Sequence, residues 1–140
     1  MTSSACDTLL SLLRLSEFGS IGNNILRTLY NVVGESDDFA AELAQKGLFK
    51  YLEQITYENL GEDDQELILL TLKNLVASNI PFLKRHIVQI RHILRLALNG
   101  SDNCLAIYFE VMQNLAYFSI DMGLFEKPEY FDDIIRSLDI

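Results

Sequence analysis

Cysteine, proline and tryptophan are scarce: the 140 residues hold two, two and none. Cys6 and Cys104 stand far apart with no C-x-x-C pair, which excludes a disulfide framework and a zinc-finger spacing and leaves two reduced thiols. Glycine (7) and proline (2) are too few for collagen or a flexible linker, and 49% hydrophobic residues exclude a disordered chain. No uninterrupted apolar run approaches the ~18 residues of a membrane span. The start, Met1-Thr2-Ser3-Ser4-Ala5-Cys6-Asp7, lacks the basic and apolar regions of a signal peptide. Neither end carries a lipidation motif. The expectation is a single domain over residues 1–140, cytoplasmic and/or nuclear.

Basic residues are also few, 11 against 20 acids, for a net charge of −9. Phosphate backbones and anionic lipid surfaces need a cationic footprint, so neither nucleic acid nor membrane is an expected partner. The deficit is uneven. Residues 67–101 contain no acid and five bases, Lys73, Lys84, Arg85, Arg91 and Arg95, between two acidic ends.

No stretch alternates apolar and polar residues long enough for a strand. Helical spacing dominates instead: Ile21, Ile25, Leu29 and Val32 form one stripe, and Ile68, Leu72, Leu75 and Val76 another. Ser20, the Gly34–Asp37 segment, Gly47, the Leu60–Asp64 segment, Asn79-Ile80-Pro81, Asn99–Asp102 and Pro128 punctuate these stripes. The spacing predicts helices near 6–16, 20–34, 37–46, 48–58, 63–78, 81–86, 87–98, 102–119 and 129–138.

That order repeats. The segments Thr28–Val33, Thr71–Val76 and Val111–Ala116 superimpose on Asn31, Asn74 and Asn114, and an apolar helix follows each asparagine at a similar distance. The pattern resembles the armadillo family, or its close relative the HEAT family. Leu69-Leu70-Thr71-Leu72-Lys73-Asn74-Leu75-Val76 is similar to the third-helix segment of that repeat. The position four residues before each asparagine is Arg27, Leu70 or Glu110, where the nuclear-import receptors of the family carry Trp, and Val88-Gln89 stands where a glycine pair is usual. The resemblance implies an all-α fold, a right-handed superhelical stack of about three helix triplets. It further implies that Asn31, Asn74 and Asn114 line a concave groove, with Arg27, Lys73 and Gln113 beside them.

An amide carries both a donor and an acceptor, so a row of asparagines can hold an extended peptide backbone without reading its side chains. The plainer alternative is that each amide bonds a neighbouring loop. In the basic band, Lys84, Arg91 and Arg95 fall along one helical face with Arg85 and His92 beside it. That face is either a dock for an acidic peptide or phosphate, or, the plainer reading, a solvated exterior whose exposed ion pairs contribute only ~0–1 kcal/mol each.

Catalytic and metal-binding patterns are missing. His86 and His92 do not stand at the i, i+4 spacing of helical ligands. Gly19-Ser20-Ile21-Gly22 has no following GK[ST], and Glu62, Asp63, Asp64 and Glu66 suit the first turn of a helix rather than a calcium loop. No enzyme, metal or cofactor is expected. The leading expectation is a module that binds an extended or helical segment of a protein or peptide partner in the groove, its acidic flanks favouring Lys or Arg near the segment's ends. The alternative is an assembly or homodimerisation unit built on apolar C-terminal helices, with Tyr117, Phe118, Leu124 and Phe125 as the contact. In either case Tyr130, Phe131, Ile134, Ile135 and Leu138 form a stripe suited to capping the stack against Val111, Leu115 and Phe118.

Overall fold

The computed structural model describes residues 3–15, 20–57, 60–78, 83–98 and 100–117. These residues are all-helical: α1 (Ser3–Leu15), α2 (Ser20–Glu35), α3 (Asp37–Gln45), α4 (Leu48–Ile55), α5 (Glu62–Ala77), α6 (Ile87–Leu98) and α7 (Asp102–Tyr117), with a 3₁₀ turn over Leu83–His86 before α6. The helix expected near 129–138, with its capping stripe, lies outside the described residues.

Local chemistry explains most boundaries. Ser36 has extended backbone angles and its hydroxyl accepts from the Phe39 N–H at 3.3 Å, capping α3, whose first turn carries Asp37 and Asp38 at the positive end of the dipole. Gly47 separates α3 from α4 with a φ of 105°, a left-handed angle that a side chain disfavours. Ser101 accepts from the Cys104 N–H and opens α7. Gly34 does not end α2, as the punctuation suggests; the helix runs through it to Glu35. Of the short helix expected at 81–86, the described residues Leu83–His86 form a 3₁₀ turn.

Packing arranges the helices in two rows. In one row α2, α5 and α7 lie side by side with α5 in the middle. In the other, α4 packs between α1 and α6, while α3 sits against α1, α2, α4 and α5. The middle helix is covered accordingly: Leu67, Ile68, Leu69, Thr71, Leu72, Leu75 and Val76 are all buried. Thr71 hides its hydroxyl without a penalty because it donates to the Leu67 carbonyl one turn back, at 2.8 Å. On α2 the buried seam is Leu26, Leu29 and Val33, one residue round the helix from the expected Ile25–Val32 stripe. Ile25 and Val32 pack on its flank, and the opposite face, Asn24, Arg27, Thr28 and Asn31, is exposed. On α7, Cys104, Ile107, Tyr108, Val111, Met112 and Leu115 turn inward, and Phe109 remains 39% exposed.

The two exposed turns respond differently to a methyl group. At Gly61 φ is −69° and a Cβ meets nothing within 4 Å, whereas Gly47 holds its left-handed angle. Gly47→Ala is therefore expected to lower stability by about 1–2 kcal/mol and Gly61→Ala to leave it within about 0.5 kcal/mol. Urea denaturation of the two variants checks the contrast.

Candidate functional site

The three asparagines all fall on the row made by α2, α5 and α7. Asn31 is exposed, and Asn74 and Asn114 are half-exposed. Among the described residues none of the three side-chain amides has a hydrogen-bond partner, so none bonds a neighbouring loop there. Asn74 is placed by its neighbour. A Cβ built on Gly34 would lie 3.1 Å from the Asn74 Nδ2, so the missing side chain at Gly34 is what lets the α5 amide lie against α2. Gly34 stands three residues after Asn31, and Ala77 three residues after Asn74, so each helix of the pair offers a small residue at that position.

The flanking groups differ from unit to unit. Arg27 is exposed and donates from Nε to the side-chain Oδ1 of Asn23 one turn earlier, at 2.8 Å. Lys73 crosses from α5 to α7 and pairs with Glu110 at 2.9 Å. Glu110 stands four residues before Asn114. Gln113 is exposed on α7. At the N-terminal ends of α2 and α5 a cleft of about 560 Å³ is lined by Asn23, Asn24, Arg27, Gly61, Glu62, Asp63 and Asp64. The Asn23 amide donates to the Asp64 carboxylate across it at 2.6 Å, fixing the two helix starts together.

The basic band lies elsewhere and is divided. Arg85 is exposed beside the 3₁₀ turn, Arg91 is half-buried on α6, and Arg95 is exposed in the last turn of α6. The Lys84 side chain lies outside the described side chains. His92, on the same helix, is held by Glu53 of α4 at 2.6 Å from Nδ1. His86 stacks on Phe49 with ring centroids 4.6 Å apart, and burial, followed by the Arg85 charge, pushes its pKa down.

Neither cysteine suggests nucleophilic chemistry. Both are buried. The Cys6 thiol donates to the Glu42 carboxylate at 3.1 Å, and burial together with that bond and the carboxylate's charge pushes its pKa up to about 11. The adjacent Lys46 pairs with Asp7 at 2.7 Å, which raises the lysine pKa. Among the described residues no group of three or more His, Cys, Asp or Glu side chains is placed to hold a metal, and no helix is long and apolar enough to cross a membrane. The side chain of Tyr117, with Phe118, Leu124 and Phe125, lies outside the described side chains.

The sequence identified the asparagines by register, but it missed Gly34 as the residue that seats Asn74. It also missed the long-range pairs Glu53–His92, Asn23–Asp64 and Lys73–Glu110, each of which joins residues 37–41 positions apart. That separation, close to the repeat period, was the available signal.

No protein-family model matches the chain, and no curated protein and no solved structure matches it.

Two of the perturbed groups, His86 and Cys6, set opposite limits on pH. The unfolded imidazole titrates near 6.5, and His86 in the fold resists protonation, so stability is lost as pH falls through and below that value. The unfolded Cys6 thiol ionises near 9.0 while the folded one keeps its proton to about 11, so stability is lost as pH rises through that interval. Melting temperature against pH is expected to fall on both sides, with the alkaline arm flattened in Cys6→Ala. At neutral pH the native thiol is expected to resist alkylation, which mass spectrometry reads directly.

Proposed function

We propose that this chain is a short armadillo-like stack, a right-handed superhelix of about three helix triplets, that works as a protein-interaction module. Its partner is an extended or helical peptide segment lying across α2, α5 and α7. The observation that carries the reading is the set of three asparagines at equivalent turns of three adjacent helices, solvent-accessible and without hydrogen bonds to the described protein. Neighbouring packed helices lie about 8–10 Å apart, a distance an extended chain covers in about two to three residues. One amide per helix therefore meets the backbone of such a segment at regular intervals. Each can accept from a peptide N–H and donate to a peptide C=O, so affinity comes from the backbone.

The surroundings add selectivity. Glu62 and Asp63 stand exposed at one end of the row, beside Arg27, and Glu110 is held by Lys73 at the other helix pair. A segment with Lys or Arg near its end suits the acidic end, while the Lys73–Glu110 bridge leaves the middle of the row close to neutral.

Selection of peptides from a display library on the wild-type chain, followed by anisotropy titration of the selected peptides, tests the proposal. Asn31→Ala combined with Asn74→Ala is expected to weaken binding by more than ~1 kcal/mol, roughly fivefold, with helix content unchanged. Gly34→Leu, which covers Asn74 and removes no hydrogen-bonding group, is expected to weaken the same peptides. Undiminished binding to both variants contradicts the proposal.

A further inference from the structure

The cleft on the opposite row, away from the asparagines, is lined by Thr56, Tyr57, Gln65, His92, Arg95 and Leu96 and encloses about 280 Å³. It lies where α4 ends, α5 begins and the last turns of α6 pass. Among the described residues its lining contains no carboxylate, in a chain with 20 acids. The Arg95 guanidinium is exposed and has no ion-pair or hydrogen-bond partner among the described residues. Glu53, 18% exposed, lies behind the lining and takes the Nδ1 edge of His92 at 2.6 Å, which leaves the Nε2 edge for a ligand. Thr56 and Gln65 are turned to the protein: the Thr56 hydroxyl donates to the Glu53 carbonyl, and the Gln65 amide donates to the Leu60 carbonyl at 3.3 Å.

We propose that this cleft is a second recognition site and that it takes the carboxylate of a Glu or Asp side chain on a partner peptide. Charge decides for a carboxylate over a phosphate. The Glu53 carboxylate already holds the His92 ring, so among the described residues of the lining Arg95 is the cation left without a partner. That matches a monoanion, bound through the bidentate fork a guanidinium offers. A dianionic phosphate would remain half-neutralised. Tyr57, 74% exposed, and Leu96 form an aromatic and aliphatic wall on the same cleft, so an apolar residue beside the acid has a surface to lie on. The wall and the single cation together specify an acidic residue flanked by leucine-like neighbours. The site does not depend on the asparagine row, and a peptide can fill it whether or not that row binds anything.

The test is a nuclear magnetic resonance titration of the full chain with the blocked tripeptide Leu-Glu-Leu, taken to about 5 mM because one bidentate pair with a small apolar contact corresponds to millimolar affinity. The Leu-Gln-Leu and Leu-phosphoserine-Leu analogues are run beside it. The expected result is saturable shifts of the Arg95 Nε–H, the His92 ring and the Tyr57 ring with the Glu peptide only. Arg95→Gln is expected to weaken these shifts about tenfold at unchanged helix content, and Asn31→Ala to leave them alone. Equal shifts from the Gln peptide, no shift from the Glu peptide, or an unaltered titration in Arg95→Gln overturns the proposal. Tighter binding of the phosphoserine peptide overturns the choice of a monoanion. Concentration-dependent self-association that Arg95→Gln abolishes would assign the cleft to a second copy of this acidic chain and also overturn it.

Discussion

The middle helix of the three-helix row has to be covered on all but one narrow side. Leu67, Ile68, Leu69, Leu72, Leu75 and Val76 leave α5 only a strip for water, where Lys73 and Asn74 are half-exposed, and burial of each such side chain contributes about 1.5–3 kcal/mol only if neighbours close over it. α2 closes one side and α7 the other, with α3 and α6 beneath. One neighbour cannot do this, so the burial of α5 depends on all four of these helices together. The arrangement of the described chain follows from that requirement.

The same requirement produces a surface. Helices that pack side by side by the same faces turn the same positions outward, so equivalent residues line up across the row. Asn31, Asn74 and Asn114 stand at similar offsets from the buried residues of their helices. Close approach then becomes a question of size, and Gly34 is the residue small enough to let the Asn74 amide lie against α2. Polar cross-links join helices within each row: Lys73 to Glu110 on one, Glu53 to His92 on the other. The more exposed Lys73–Glu110 pair contributes little to stability.

Much of this was legible in the sequence. Apolar spacing and the Ser36, Gly47 and Ser101 signals fixed the helices to within a few residues, because capping and helix periodicity are local. The α2 seam was misjudged by one position because Ile25 and Val32 are as apolar as Leu26 and Val33, and only the direction of α5 decides which pair is buried. Gly34 reads as a helix stop in sequence because its value is steric and lies in another helix. The carboxylate-free cleft was invisible for the same reason. Arg95 could be assigned to a basic stripe, but its pairing in space with Tyr57 and Leu96, and the capture of His92 by Glu53, depend on how α4 meets α6.

The central claim of the proposal is that the asparagine amides of the row, which have no hydrogen-bond partner among the described residues, are open to a ligand. Solvent exchange of the side-chain amide protons of Asn31, Asn74 and Asn114, measured by nuclear magnetic resonance on the full chain, tests it most directly. The account predicts exchange at all three within about threefold of the rate of an unstructured asparagine, because no internal hydrogen bond has to open first. Protection of two or more of them by over about tenfold, an opening cost near 1.4 kcal/mol, would show that the amides hold the stack together and would contradict it.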